Sequence, residues 1–211
     1  MTPRDIILRD LPRVDLKIVA DMVKDNARVL DVGCGDGALL HYLVHQKGVD
    51  GYGMEISQDG VNASVSLGLS VVQGDADTDL KIYPTSGFDY AILSQTLQAT
   101  FDPRVVLREL VRVARHAIVS FPNFGYWQIR WNFLASGRMP VTDLLTYKWF
   151  ESPNIHLCTL RDFVDLCEAE DVVIERAISI GHRGRPRAIT LPPGRWANLM
   201  CEQFVCLLRR R

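Results

Sequence analysis

The chain has 211 residues, 47% of them hydrophobic, and a formal net charge of −1. That length and composition suit one α/β domain with a sizeable core, spanning 1–211, and exclude a disordered chain. The near-neutral charge argues against a polyanion-binding surface, and no apolar run is long enough to span a membrane. Cys34, Cys158, Cys167, Cys201 and Cys206 form no tandem C-x-x-C pairs and read as the reduced thiols of a cytoplasmic protein. Residues 1–11 carry Asp5 and Asp10 among apolar side chains, which does not suit a signal peptide.

In chain order, residues 1–25 comprise a loose arm broken by Pro3 and Pro12, then an amphipathic helix over Asp15 to Asp25 with Leu16, Val19, Ala20 and Val23 on one face. Ala27 to Val32 is the first strand. It ends in Gly33, Gly35 and Gly37, where the absence of a Cβ lets a ligand approach the backbone. A helix follows from Ala38 to Val44, with Asp36 placed to cap it. Its first N–H groups favour negative or polar ligand groups. A tight turn alone would also explain the glycines. As a ligand motif the stretch fits two classes. Gly33, Gly35 and Ala38 satisfy the dinucleotide pattern G-x-G-x-x-G/A. Asp31 with Gly33, Gly35 and Gly37 satisfies D-x-G-x-G-x-G, the pattern of class I methyltransferases that bind S-adenosylmethionine.

Val49 to Met54 is the second strand, and Glu55 follows about twenty residues after the glycine loop. That position suits an acceptor for both ribose hydroxyls, although a surface carboxylate capping the helix from Ser57 is the plainer alternative. Leu69 to Gln73 is the third strand. Asp75 beyond it is placed to reach an exocyclic amine of adenine, with the Ala76 N–H directed at the ring. Together with Asp31, Gly37 and Glu55 it favours S-adenosylmethionine over a dinucleotide. Cys34 and Ile56, neighbours of the loop and of Glu55, complete this side of the set.

Phe88 to Leu93 is the fourth strand. Gln95 and Gln98 stand at its carboxyl end, where ligands bind in open α/β sheets, and are candidates for the sulfonium and amino-acid end of the cofactor. Asp102-Pro103 starts a helix whose buried face is Val106, Leu107, Leu110, Val111 and Ala114. His116 to Phe121 is the fifth strand. This alternation predicts a doubly wound, mostly parallel seven-stranded sheet. An insert over 123–156 then concentrates Tyr126, Trp127, Trp131, Phe133, Tyr147, Trp149 and Phe150, with Arg130, Arg138 and Lys148 among them. A helical cap that buries most of these aromatics is the simplest reading. A substrate lid and a protein-contact surface built on Tyr126, Trp127, Arg130 and Trp131 compete with it. Thr159 and Asp162 suggest a capping box opening a helix to Glu170. Val172 to Ile180 is the sixth strand, 181–197 reads as an exposed basic loop, and Leu199 to Leu208 as the last strand.

A neutral acceptor of a methyl group often needs a general base. His116, His156, Cys158 and Tyr147 are the available groups, each explained as readily by structure. There is no complete metal-ligand set and no Asn/Asp-Pro-Pro-Tyr run after the fourth strand, where Ser94-Gln95-Thr96 stands. Catalytic residues are therefore unassigned.

With these residues in view, the chain resembles the methionine biosynthesis MetW family, which is class I methyltransferase-like. The stretches that carry the resemblance are 28–37, 51–56, 120–127 and, most distinctively, 152–163 with Leu166-Cys167. It covers nearly all of 10–208. The resemblance implies a Rossmann-like methyltransferase fold with a helical, aromatic-rich insert after strand five. It implies cofactor contacts at Asp31, Gly33, Gly35, Glu55 and Asp75, with S-adenosylmethionine or S-adenosylhomocysteine as ligand. It also implies association with, and support of, the homoserine O-acyltransferase MetX. The competing expectation is an active methyltransferase acting on a small molecule. Whether the isolated chain is a homodimer stays open.

Overall fold

The computed structural model describes residues 11, 13–142 and 144–211. The expected loose arm lies outside these residues except for Leu11, which is buried, and Arg13. The described chain runs α1 (Val14–Met22), β1 (Arg28–Val32), α2 (Ala38–Lys47), β2 (Asp50–Glu55), α3 (Gln58–Ser66), β3 (Ser70–Gln73), β4 (Phe88–Ser94), α4 (Pro103–Val113), β5 (Ala114–Pro122), α5 (Trp127–Ser136), α6 (Leu160–Ala169), β6 (Val172–Gly181), β7 (Arg185–Ala188), α7 (Arg195–Met200) and β8 (Gln203–Arg210). No helix among the described residues is long and apolar enough to cross a membrane.

The strands form one sheet of order β3-β2-β1-β4-β5-β8-β6-β7. The first five are parallel, and β8 enters antiparallel between β5 and β6. Alternation along β1 sends Val29 to one face and Leu30 and Val32 to the other. Val29 packs in a cluster with Leu16 and Val19 of α1 and Leu39 and Leu43 of α2. Leu30 and Val32 pack with Val106, Leu107 and Leu110 of α4 and with Phe163 and Cys167 of α6. Helices thus cover both faces, so the central strands carry unbroken apolar runs such as the fully buried Ala91-Ile92-Leu93. Asp102 caps α4 by accepting the N–H groups of Arg104 and Val105, both at 3.1 Å, a contact worth about 1 kcal/mol.

Among the described residues the sheet has eight strands, one more than the sequence predicts. Residues 185–188, expected in a loop, form edge strand β7 antiparallel to β6. All four side chains are exposed, and Pro186 suits an edge because it has no N–H to pair. Residues 195–200 are helical, so the last strand begins at Gln203 rather than Leu199.

Among the described residues, the insert contains one regular element, α5, and irregular chain thereafter. Here the expected burial fails. Tyr126 is enclosed with Ile129 and Leu145, but Trp127, Trp131, Phe133, Tyr147, Trp149 and Phe150 are all exposed, Trp149 by 76%. Apolar side chains flank α5 on both sides of a narrow stripe of Gln128, Asn132 and Ser136, so one contact face cannot bury them all. The insert is stitched to the sheet by fully buried Asn123. Its amide donates to Asn198 O and Cys201 O, both at 2.7 Å, and its oxygen accepts Gly125 N and Leu160 N. Phe124 N also donates to Cys158 O at 3.1 Å, which ties 120–127 to 152–163.

Candidate functional site

The glycine loop leaves β1 at the carboxyl edge of the sheet. Gly33, Gly35 and Gly37 have φ of +72, +57 and +79, a region that side-chain-bearing residues rarely adopt. Two of them also lack room. A Cβ on Gly33 would stand 2.6 Å from Thr96 Oγ1, and one on Gly37 would stand 2.6 Å from Leu69 Cδ1. Gly35 has nothing within 4 Å. The loop is fastened to β2, because Gly33 N and Cys34 N both donate to Met54 O. Asp36 does act at the helix start, accepting Ala38 N at 3.1 Å.

Glu55 is buried, not a surface carboxylate. One oxygen accepts Gly35 N at 2.8 Å and the other accepts Ser57 N at 2.9 Å. A carboxylate has about four acceptor positions, so one lone pair on each oxygen is left for a vicinal pair of hydroxyls. The cap of α3 is the side chain of Ser57, which accepts Gly60 N at 3.5 Å; Glu55 holds the N–H of that cap residue rather than capping the helix itself. Asp31 is buried at the end of β1. Burial first, then the negative charge of Glu55, pushes its carboxyl up to about 7, against the lowering effect of Arg13. Cys34 packs beneath the loop, close enough that a Cβ on Gly53 would meet its Sγ at 2.9 Å. Burial pushes its thiol up to about 12, so it is no nucleophile at neutral pH.

Beside the loop lies a slot of about 110 Å³ walled by Gly33, Ile56, Asp75, Ala76, Thr96 and Phe101 among others. Ile56 and Phe101 are 66% and 79% exposed at its rim. One Asp75 oxygen accepts Asp77 N. Asp77 in turn accepts Phe101 N and Asp102 N, each at 2.9 Å, which clamps the far rim to the chain after β3. The slot's walls are mainly apolar, with the Asp75 carboxylate among them, a chemistry that suits a purine ring.

On the other side of Gly33 and Thr96, a cleft of about 800 Å³ runs past the carboxyl ends of β4 and β6 and the amino end of the antiparallel β8. Gln95 and Gln98 stand in its wall, as do Arg13, Asp15 and Ser94. Arg13 grips buried Asp15 in a fork, at 3.1 Å and 2.5 Å, and donates to Ser94 Oγ at 3.3 Å. Gln95 holds φ +54, fixed by its N–H donating to Ser120 O at 2.8 Å. Gln98 donates its amide to Gln95 O at 2.9 Å, leaving Oε1 buried and without a partner among the described residues.

Gly33, Ile56, Asp75, Ala76, Gln95 and Gln98 thus meet in two adjoining cavities. Asp31, Cys34, Gly35, Gly37 and Glu55 make the loop and strand ends beside them. The site also includes Thr96, Phe101, Asp77 and the Arg13–Asp15 pair, which the sequence reading omitted. Only the steric demand of Gly33 pointed towards a partner such as Thr96. Of the partner-contact candidates, Trp127 and Trp131 are exposed, Tyr126 is buried, and Arg130 Nε donates to Gly125 O at 2.6 Å. His116 lies at the opposite edge of the sheet, stacked on Tyr90 and 3.4 Å from Glu175. His156 is nearer: its N–H donates to Gln98 O, and Nε2 is 3.2 Å from Phe101 O. Cys158 is pushed up to about 12 by burial, and Tyr147 lines the cleft. Among the described residues, no three His, Cys, Asp or Glu side chains gather into a metal-binding group.

An antiparallel strand between the fifth and sixth separates this sheet from the dinucleotide-binding order 3-2-1-4-5-6. With the glycine loop and the acidic residue that ends β2, it defines a class I methyltransferase-like fold. A solved S-adenosylmethionine-dependent methyltransferase from Thermotoga maritima superposes with TM-score 0.68 at 14% identity, covering 98% of this chain and 92% of that one. The [4+2]-cyclase SpnF superposes with TM-score 0.64 at 18% identity, covering 98% of this chain and 80% of that one. Likeness at such identities concerns the fold alone, and the second protein is named for a reaction other than methyl transfer.

Sequence is more specific. The profile of methionine biosynthesis protein MetW matches residues 13–208, and the chain belongs to that family. It is 34% identical over 185 residues to the bifunctional methionine biosynthesis protein MetXA/MetW of Rhodopirellula baltica, with 83% of this chain aligned. It spans only 29% of that relative's length.

Proposed function

We propose that this chain is a cytoplasmic, S-adenosylmethionine- or S-adenosylhomocysteine-binding protein of methionine biosynthesis that partners with and activates the homoserine O-acyltransferase MetX. The observation that carries the partner is the relative whose name joins MetXA and MetW in one chain. A fused pair holds its parts at high effective concentration, and separate chains of the same pair need a contact surface. The exposed Trp127, Trp131, Trp149 and Phe150 supply one, since aromatics dominate such interfaces.

The cofactor reading rests on fit. The slot between Ile56 and Phe101 suits the adenine, with Asp75 at its edge. Glu55 has two acceptor positions left for the ribose. The cofactor's sulfonium supplies an activated methyl group when bound, and the chain's own residues bind and orient it. Gly33 lets Thr96 pack against the loop between the two cavities, Asp77 holds the Phe101 rim, and Gln95 and Gln98 line the path of the amino-acid tail. The whole of 1–211 is read as one such unit. Mixing this chain with the homoserine O-acyltransferase, with and without S-adenosylmethionine, tests the proposal. Acyltransferase turnover rises if it is right and is unchanged if it is wrong.

One observation favours the second reading, an active small-molecule methyltransferase. The cleft beside Gln95 is large enough for an acceptor in addition to a cofactor tail.

A further inference from the structure

The basic stretch 181–197 has no part in the site described above. It folds into one wall and the floor of a groove of about 650 Å³ between the β6–β7 hairpin and α7. Gly181 pairs with Arg185 and Ser179 with Arg187, and alternation sends both arginine side chains to one face. Arg183, in the turn between the strands, lines the same groove, and the wall continues onto α7 with exposed Trp196 and Met200.

The groove's charge is one-sided. Among the described residues, no carboxylate lines it, and no ion pair holds Arg183, Arg185 or Arg187. Glu202, one residue past the groove's Cys201, already has a partner. Three uncompensated guanidinium groups repel one another and attract anions, and their forks match carboxylates in pairs of hydrogen bonds. Pro186 leaves the middle of the β7 edge without an N–H, which guards it against strand addition, so recognition falls to the side chains.

The groove also lies near the aromatic insert. Asn123 donates to Asn198 O and Cys201 O, and a Cβ on Gly125 would stand 2.8 Å from Asn198 Oδ1. These contacts hold α7 against the chain that begins α5. An interface of standard size, roughly 800 Å² on each partner, spans both the groove and the exposed Trp127 and Trp131.

We propose that this groove docks an acidic segment of the acyltransferase partner, with its carboxylates on Arg183, Arg185 and Arg187 and an apolar side chain against Trp196. The inference rests on the partner reading above and gives that interface an electrostatic half.

Calorimetric titration of the full chain with the homoserine O-acyltransferase tests it. Affinity should fall at least about tenfold between about 50 and 300 mM salt. The double variant Arg185→Glu/Arg187→Glu should bind at least about tenfold more weakly and lose most of that salt dependence. Both side chains are exposed on an edge strand, so its melting temperature should not move. Lys81→Glu, at an exposed position beyond β3, should leave affinity unchanged. In the wild-type complex, amide exchange should slow across 183–200, a readout that needs no variant. Binding that persists unweakened in the double variant, an equal loss in Lys81→Glu, or no protection over 183–200 overturns this inference and leaves the partner reading standing. So does capture of a single-stranded oligonucleotide that depends on Arg185 and Arg187 while acyltransferase affinity does not. If the wild-type chain does not bind the acyltransferase at all, the partner reading fails and this inference falls with it.

Discussion

Gly33 and Gly35 share a left-handed backbone but not a steric environment, so alanine at each separates two costs. At Gly35 the new methyl meets nothing within 4 Å, and only the backbone penalty of about 1–2 kcal/mol applies. At Gly33 the same penalty is joined by contacts at 2.6, 2.9 and 3.2 Å with Thr96, and overpacking of that kind costs about 1–3 kcal/mol more. Two of the three contacts are Oγ1 and Cγ2, which Thr96→Ala removes. Urea unfolding of Gly33→Ala, Thr96→Ala and the double variant should therefore show a favourable coupling of about 1–3 kcal/mol, whereas Gly35→Ala should not couple to Thr96→Ala. Additive losses at Gly33 and Thr96, or equal costs at the two glycines, would refute the close approach of the loop to Thr96.

Asp31 makes stability pH-dependent. Its folded carboxyl titrates near 7 against an ordinary value of 3.8, so the folded state holds its proton more tightly than the unfolded one. That contribution is complete below pH 4 and lost as pH rises to 7, by roughly 4 kcal/mol in all. Denaturation at pH 4.5 and 7.5 should show Asp31→Asn escaping this loss; a parallel pH dependence in both proteins refutes it. Asp77→Ala frees the Phe101 and Asp102 N–H groups and should weaken S-adenosylhomocysteine about tenfold, some 1.4 kcal/mol, measured by calorimetry against an unchanged melting temperature. Trp131→Ala should cost the acyltransferase complex at least about 2 kcal/mol with cofactor affinity intact. Unaltered partner affinity in sedimentation experiments removes α5 from the interface.

The parallel half of the fold is legible because each β-α step has its own punctuation. Glycines end β1, Asp102-Pro103 starts α4, and the Thr159–Asp162 capping box forms as expected, with Thr159 N donating to Asp162 at 2.9 Å. The antiparallel end is less so. Arg185-Pro-Arg-Ala188 carries no apolar alternation, because an edge strand with both faces wet needs none. Leu199-Met200-Cys201 runs on into Phe204 without a break, so sequence merges α7 with β8. The aromatics of 123–156 were misjudged for a physical reason too: composition records apolar area but not whether the chain folds enough surface to cover it. In the site, the residues on strand ends and glycine turns were readable. Thr96, Asp77 and Phe101 act through contacts between loops far apart in sequence, which no local pattern encodes.

The central claim is that Glu55 and the glycine loop hold a nucleoside ligand whose binding is felt by a partner. The most direct measurement is titration of S-adenosylmethionine and S-adenosylhomocysteine into wild type and Glu55→Ala, each with and without the homoserine O-acyltransferase. The account predicts binding that falls at least tenfold in the variant, and an affinity that shifts with the partner present, which linkage makes reciprocal. Binding indifferent to both Glu55 and the partner would contradict it.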